Sequence, residues 1–521
     1  MVIAYLIELA TRIGRAKVVF YIFLLLIIYT LFSLQPYFVS ELLKDNSQWN
    51  VMYFLFTFLS FLSVSLVNYP NNYFLQSIRQ HSKSIVWADN KNRPYVYFIN
   101  KEIGDIQNLI GEISFSSRSI QYVSLQVLVK AITIVTVYTY LLFAQNIILS
   151  IYYLFFYTLY FCISYFLSKN NSKCIESALK SSSKINSYMI DYHKNIENII
   201  SNKSFDQEEE LFASLLAQEK NAYYILQKKI DNSHLVQQFV IATLTSIALF
   251  INYRTSAGDS WDVKVIMILV YSMFNLSHIG KEFLALLEHK DRLSMSLQRL
   301  EFDKARYVSN IKVDVNQKHA ITVKNVDFSI QGSDILRDIT LSIESGSKIA
   351  IVGKNGSGKS TLVKIMAGIM EPDRGRIIWN CAECTYVSQS STLFDRTIYE
   401  NMIYPKRHYP KEELMLLVNE LNLDSLIKSE IDLVTKTPGD FGSKFSGGEK
   451  QKVLIIRAIV NKAPIMFFDE IDSSIDQDTE KKFNMLIKRH FSENTVICVT
   501  HKGNNLDVYD KVFDIEAKAL R

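Results

Sequence analysis

Over roughly the first 290 positions, long apolar runs alternate with polar stretches rich in lysine and arginine; beyond about residue 318 the apolar runs shorten to strand length. A helix that crosses hydrocarbon needs about 20 apolar residues. Six stretches meet or approach that length: Val18–Leu34, Val51–Val67, Val123–Phe143, Ile147–Leu167, Leu235–Ile251 and Val263–Leu287. Backbone groups inside lipid must bond within their own segment, so each stretch is predicted to be helical. The first is long for the apolar part of a cleaved signal, lacks a small-residue cleavage site and is followed by further spans, which argues against removal.

Basic residues sort the connections between these runs. The approach to the first span carries Arg12, Arg15 and Lys17. The connection Pro70–Tyr122 carries Arg79, Lys83, Lys91, Arg93, Lys101 and Arg118, and Ser168–His234 is richer still in lysine. The other connections are short and nearly free of positive charge. The basic side of a membrane protein faces the cytoplasm, so both termini and both long connections are expected there. Met1–Ala16 places Ile3, Leu6, Ile7, Ala10 and Ile13 on one helical stripe, which suits a helix along the inner membrane surface or a plain extension of the first span.

Each long connection is expected to continue its flanking spans as helix. Pro94 would end one helix and start the next, and Tyr95-Val-Tyr-Phe98 forms an aromatic patch suited to docking or to helix packing. Tyr138, Tyr140, Tyr152, Tyr153, Tyr157, Tyr160, Asn275 and His278 either line a cavity or anchor helices. Lys130 reads as a snorkelling or sub-bilayer lysine.

Composition narrows the function. The 521 residues hold 57 Lys+Arg against 52 Asp+Glu, with a pI near 8.6, but the basic residues sit beside apolar runs, which does not favour nucleic acid. Five cysteines include one CxxC, Cys381–Cys384, and no second pair. Zinc and redox sites need more, so a reduced structural pair is expected.

Only 17 glycines occur in the chain, yet three fall in Gly353-Lys-Asn-Gly-Ser-Gly-Lys-Ser-Thr361. The loop follows the apolar run Ile349–Val352 and precedes a helical pattern. Strand, G-x-x-x-x-G-K-[ST], helix is the phosphate-loop context. Its N–H groups make a concave anion site at a helix N-terminus. Lys359 would reach β- and γ-phosphates, and the Ser360 hydroxyl a Mg²⁺ ion. A second apolar run, Ile465–Phe468, ends in Asp469-Glu470, placed for metal and water respectively. Phe445-Ser-Gly-Gly-Glu449 opens another helix, a second phosphate site by the same physics, free to serve a partner's nucleotide. His501 follows the strand run Val496–Thr500, at the strand end where α/β sheets bind ligands.

Taken together in this order, the motifs resemble those of an ATP-binding cassette (ABC) exporter of the half-transporter kind, over nearly the whole chain. Gly353, Lys354, Asn355, Gly356, Ser357, Gly358, Lys359, Ser360 and Thr361 match its Walker A loop. Gln389 resembles the Q-loop glutamine, a Mg²⁺ contact. Ser446, Gly447 and Gly448 lie in a signature written FSGGE where LSGGQ is usual. Asp469 and Glu470 match the Walker B aspartate and catalytic glutamate, Ser473–Asp476 the D-loop, and His501 the switch histidine. "PYVYFINKEIGDIQNLI" is similar to the first cytoplasmic loop of such exporters, with the first coupling helix at its start and a second expected near Ile185–Lys194.

The resemblance implies a multi-domain membrane protein. An all-α six-helix transmembrane domain (1–300) and a linker (301–317) would precede an α/β P-loop NTPase domain (318–521). It implies ATP and Mg²⁺ as ligands. It also implies a second half-transporter as partner, two copies sandwiching two ATP molecules between Walker A of one and Ser446–Gly448 of the other. Departures exist. Ile330 stands where an aromatic residue usually stacks on adenine, Asp440 where glutamate is common, and the final strand and helix are expected to be short. No peptidase segment precedes the first span, so leader cleavage is not expected.

The leading expectation is ATP-driven export by a homodimer in a bacterial cytoplasmic membrane. A tyrosine- and serine-rich membrane half without a charged pocket points to a small peptide, with lipids, drugs and a heterodimer as alternatives. An ATP-gated channel or sensor would use the same parts. A soluble regulatory ATPase fits poorly with six spans, and an importer usually separates the membrane part onto another chain.

Overall fold

The computed structural model describes residues 2–42, 50–66, 68–101, 103–169, 171–255, 263–302, 311–330, 332–388, 391–439, 442–470, 485–500 and 508–520. The chain divides into two compact units: Met1–Arg93 with Tyr97–Arg306, and Pro94–Val96 with Tyr307–Arg521.

The N-terminal part is helical: α1 (Val2–Ile13), α2 (Arg15–Ser33), α3 (Gln35–Leu42), α4 (Asn50–Leu66), α5 (Asn68–Asn90), α6 (Tyr95–Asn100), α7 (Ile103–Phe143), α8 (Ile147–Lys169), α9 (Ser172–Lys194), α10 (Ile196–Asn202), α11 (Phe205–Thr255) and α12 (Val263–Arg299). Among the described residues, 5 helical stretches are long and apolar enough to cross a membrane: Arg15–Leu42, Gly104–Phe143, Ile147–Lys169, Phe205–Thr255 and Val263–Arg299. The remaining expected span falls on α4, an apolar helix of 17 residues, and its last expected residue, Val67, lies outside the described residues. The first span is longer than its apolar run suggests. The chain turns at Leu34, and α3 carries on to Leu42, where Glu41 pairs with Lys264 at the head of α12.

At 1.5 Å per residue, the 51 residues of α11 reach about 75 Å, well beyond a ~30 Å hydrocarbon layer. The expected continuation of the spans as helix is therefore present. Its details differ from the sequence reading. Ile185–Lys194 is simply the end of α9; the short helix of the second connection is α10, closed by Lys203 in the left-handed conformation at φ 53. Pro94 does separate α5 from α6, but the aromatic patch divides. Tyr97 is buried, donates to the Leu300 carbonyl at 3.0 Å and lies between Arg93 and Lys101, while Phe98 is exposed. On α1 the buried face is Tyr5, Leu9 and Ile13; Ile3 and Ile7 of the expected stripe stay exposed.

The membrane tyrosines mostly answer to packing. Tyr138, Tyr153, Tyr157 and Tyr160 are buried in one core with Ile134, Ile241, Leu269 and Ile279, drawn from α7, α8, α11 and α12. Without water, helix association rests on close contact and internal hydrogen bonds. Tyr152 donates to the Leu244 carbonyl at 2.9 Å and Tyr160 to the Leu276 carbonyl at 3.4 Å. Tyr140, by contrast, is exposed.

The second unit holds β1 (Ile311–Val313), β2 (His319–Ile330), β3 (Ser333–Glu344), β4 (Lys348–Val352), α13 (Lys359–Met366), β5 (Arg374–Trp379), β6 (Cys384–Ser388), α14 (Ile398–Ile403), α15 (Lys411–Glu420), α16 (Glu430–Thr435), α17 (Gly447–Asn461), β7 (Ile465–Asp469), β8 (Thr495–Val499), β9 (Lys511–Asp514) and β10 (Ala519–Leu520). One sheet runs β1-β5-β2-β3. The other runs β10-β9-β4-β8-β7-β6, parallel from β9 to β6. β7 and β8 are buried throughout, as strands covered on both faces must be. One apolar core fills the space between the sheets and α13; another joins β6 and β7 to α14, α15 and α17. Pro94–Val96 clusters with this unit, and the Lys364 ammonium lies 5.9 Å from the Tyr95 ring. Burial raises the thiol pKa of both CxxC cysteines, Cys384 to about 12, and among the described residues no cluster of His, Cys, Asp and Glu could hold a metal.

Gly280 of α12 has a specific job in the helical core. A Cβ there would lie 1.6 Å from the Tyr160 hydroxyl. Gly280→Ala is expected to cost about 1–3 kcal/mol through overpacking, read as a lower unfolding temperature of the detergent-purified chain. Tyr160→Phe in the same background should recover part of the loss; an unchanged melting temperature in Gly280→Ala would contradict this packing.

Candidate functional site

The parallel strands deliver the chemistry at their C-terminal ends. β4 is anchored by buried Ile349, Ala350 and Ile351, and the chain leaves it at Gly353. Two glycines there are required by space and by backbone angle. At Gly353 a Cβ would lie 2.6 Å from Ile515 and 2.8 Å from Ser357 Oγ; Gly358, at φ 91, would meet Leu336 at 2.9 Å. Gly358 then serves as N-cap of α13. The loop thus curls tightly onto the start of a helix, the place where backbone N–H groups favour an anion.

Lys359 is 4% exposed, and its ammonium donates to the carbonyls of Gly353 at 3.0 Å and Lys354 at 2.9 Å. Lys354 and Asn355 are exposed on the outside of the loop, and the Lys354 N–H donates to Glu516 at 3.0 Å. Gly356 is exposed at φ 82, and Thr361 is half-buried in the first turn of α13. Ser357 Oγ is buried without a hydrogen-bond partner.

Ser360 connects the loop to β7. Its hydroxyl donates to Asp469 Oδ1 at 2.8 Å. The second carboxylate oxygen, Oδ2, accepts from the Tyr386 hydroxyl at 2.9 Å. Asp469 is buried at 4% exposure. Burial first, and the neighbouring carboxylate second, push the Tyr386 phenol well above its ordinary range, so it stays a donor.

Tyr386 was not among the residues the motifs singled out. No local signal marks it; the structure shows it, because β6 pairs in parallel with β7, setting Tyr386 against Phe467 and Ser388 against Asp469. Strand alternation then puts Tyr386 and Asp469 on one face.

Glu470 follows Asp469 with φ 55, a left-handed conformation at the strand end, and its N–H donates to the Val499 carbonyl at 3.2 Å. Such angles in a residue with a side chain carry strain and concentrate at functional positions.

Ser446 caps α17. Its hydroxyl accepts from Glu449 N–H at 3.3 Å, and the Glu449 carboxylate accepts from Ser446 N–H at 2.8 Å. The glutamate that replaces the usual glutamine thus completes a capping box. Gly447 and Gly448 form the first turn behind it. Among the described residues no hydrogen bond joins Ser446–Gly448 to the Gly353–Thr361 loop. Ile330 ends β2, 43% exposed. Gln389, Asp440, Ser473–Asp476 and His501 lie outside the described residues.

The residues present fit a nucleotide and its Mg²⁺. A glycine cradle that a Cβ would fill, a buried Ser357 hydroxyl awaiting a partner, and a lysine folded over the loop suit phosphates. Ser360 Oγ and Asp469 Oδ1 bring together two hard oxygens of the kind Mg²⁺ prefers.

Comparison with known proteins agrees with this geometry. Residues 336–473 match the family model described as ABC transporter. The ATP-dependent lipid A-core flippase of Neisseria meningitidis serogroup B is 32% identical over 206 residues, which cover 37% of this chain and 33% of the relative. The mitochondrial iron-sulfur clusters transporter ATM1 of Candida glabrata is 32% identical over 216 residues, covering 39% and 30%. The matched stretch thus spans about a third of the length of these curated relatives. A solved structure described as a bacterial Atm1-family ABC exporter with ATP bound superposes with a TM-score of 0.85 at 20% identity, over 96% of this chain and 93% of that one. The chain therefore carries an ABC transporter ATPase domain behind a helical domain, in the fold of an ABC exporter half-transporter.

Proposed function

We propose that two copies of this chain form an ATP-driven exporter working by alternating access. The observation that carries the reading is the junction of the glycine loop with the β7 carboxylate, through Ser360 and Asp469 at 2.8 Å. In this reading Lys359 exchanges its two carbonyl partners for β- and γ-phosphate oxygens. The loop N–H groups and Ser357 hold the remaining oxygens. Ser360, Asp469 and Gln389 would hold Mg²⁺, which would neutralise charge on the phosphates. Glu470 orients the attacking water and takes its proton, and His501 steadies the γ-phosphate. Tyr386 fixes the Asp469 carboxylate so that its other oxygen faces Ser360. Ser446–Gly448 of the second copy close over the nucleotide from the far side.

Closure would be passed to the membrane helices through α6 and α10. Residues 1–300 would form the transmembrane domain and 318–521 the cassette, joined by 301–317, with both termini in the cytoplasm. The exposed Ile3 and Ile7 of α1 support a helix lying on lipid. A bacterial cytoplasmic membrane suits the chain, and its cargo is a small peptide or an amphipathic lipid. The relatives' names, a lipid A-core flippase and an iron-sulfur clusters transporter, keep the lipid in view.

The test is uptake into inside-out vesicles holding the purified chain. Uphill accumulation of cargo that stops with Glu470→Gln supports a pump; leak that only equilibrates would contradict it. Lys359→Ala should insert normally and lose about 100-fold or more in ATP hydrolysis, because the phosphates lose their principal cation. Unchanged hydrolysis in that variant contradicts the site.

Tyr386→Phe removes a hydrogen bond to a charged acceptor, a loss of about 1.5–3 kcal/mol. It is expected to raise the Mg²⁺ concentration for half-maximal hydrolysis while nucleotide binding without metal holds. Equal shifts in both would make Tyr386 a folding residue only. Ile330→Tyr should lower the half-saturating ATP concentration, since base stacking is worth about 1–3 kcal/mol. No change would mean that another group covers the base.

A further inference from the structure

The last turn of α12 is held by the connection that runs from α5 through α6 to α7. A helix end leaves its final carbonyls without partners inside the helix and carries negative partial charge. Side chains spaced by four in sequence take these carbonyls in order. Arg93 donates to the Glu301 carbonyl, Tyr97 to that of Leu300 at 3.0 Å, and Lys101 to that of Arg299. The next residue at that spacing, Asp105 in the first turn of α7, accepts from the Arg299 guanidinium at 2.7 Å.

The grip is buried and braced. Arg93 and Tyr97 are both buried, and Arg93 pairs with Asp89 of α5 at 2.6 Å. The Tyr97 ring lies 5.2 Å from the Arg93 guanidinium and 4.5 Å from the Lys101 ammonium. Burial pushes the Tyr97 phenol up to about 12, so it stays a donor. The chain then leaves α12 by a fixed turn. Glu301 takes a left-handed angle, φ 59, the Glu301 N–H donates to the Gln298 carbonyl at 3.0 Å, and the Phe302 N–H to the Leu297 carbonyl at 2.9 Å. Lys101 also reaches the Glu301 carboxylate at 3.3 Å, offsetting an acid that the negative helix end disfavours.

Ordered capture of consecutive carbonyls, with cations where the helix end is negative, joins α5, α6, α7 and α12 at one place. α12 is the last helix before the chain passes to the second unit. From the grip it stays against α7, with Arg292 4.0 Å from Glu112 and His289 edge-on to the Phe115 ring at 5.5 Å.

We propose that Arg93, Tyr97 and Lys101 are positioning residues that make α6 and the end of α12 move as one piece, so that a displacement of α6 during the ATP cycle reaches the spans through α12 and α7. The inference rests on the exporter reading for the movement, but the grip itself is tested without it.

Hydrogen exchange tests the grip, on the full chain in nanodiscs without nucleotide. The amides of Gln298–Phe302 should exchange about tenfold faster in Tyr97→Phe with Lys101→Met, equivalent to about 1.4 kcal/mol lost against local opening. Lys101→Arg, which keeps a donor, should exchange as the parent does. Unchanged exchange in the double variant would overturn the proposal.

Spin labels test the transmission. A cysteine replacing exposed Gln145, between α7 and α8, reports the distance between two copies in an otherwise cysteine-free chain. ATP with Mg²⁺ should shift that distance in the parent and in Lys101→Arg. In the double variant the shift should fall by about half or more, while ATP hydrolysis stays within about twofold of the parent. A purely structural role would lower the melting temperature and leave the shift in place. A shift of parental size therefore contradicts the proposal, as does loss of hydrolysis alongside the shift. A parent whose distance ignores ATP would contradict the exporter reading, and the exchange rates would still decide the grip.

Discussion

A single buried carboxylate holds the catalytic half together. Asp469 ends a strand that is buried at every position, yet both of its oxygens are engaged by hydroxyls, Ser360 from the glycine loop and Tyr386 from the neighbouring strand. A buried carboxylate without partners would be strongly disfavoured. Here the hydroxyls satisfy it and, in doing so, fix the distance between loop and sheet. The parallel pairing of β6, β7 and β8 sets where Tyr386, Asp469 and Val499 lie, and Val499 in turn receives the Glu470 N–H. The loop geometry, the metal oxygens and the glutamate position therefore share one scaffold.

The helical half obeys a different constraint. With no water to satisfy polar groups in lipid, many polar side chains bond to one another or to neighbouring backbone, while the Tyr153 and Tyr157 hydroxyls are buried without a partner among the described residues. Gln237 donates to Ser164 at 2.8 Å between α11 and α8, and Tyr21 to Asn71 at 3.0 Å between α2 and α5. Tyrosine suits such helices because it combines a large apolar face with a donor, used by Tyr21, Tyr152 and Tyr160.

Local signals made the catalytic loop legible in the sequence, since three glycines, a lysine and two flanking apolar runs need no distant partner to be read. The apolar runs also found the membrane helices. What escaped reading depends on tertiary register. Tyr386 matters only once β6 is paired with β7. The tyrosines of α8 are packing residues only because α7, α11 and α12 surround them. The short helix at Ile196–Asn202 was not foreseen, because the polar periodicity of α9 continues to Lys194 without a visible break.

The central claim is that nucleotide held by the glycine loop draws two copies together. Spin labels on a cysteine replacing exposed Asp424, in an otherwise cysteine-free Glu470→Gln chain, would report the distance between copies in nanodiscs. The account predicts that ATP with Mg²⁺ converts a broad, long distribution into one shorter, narrow distance, and that Lys359→Ala abolishes the change. A distribution that ignores ATP while the nucleotide is demonstrably bound would contradict it.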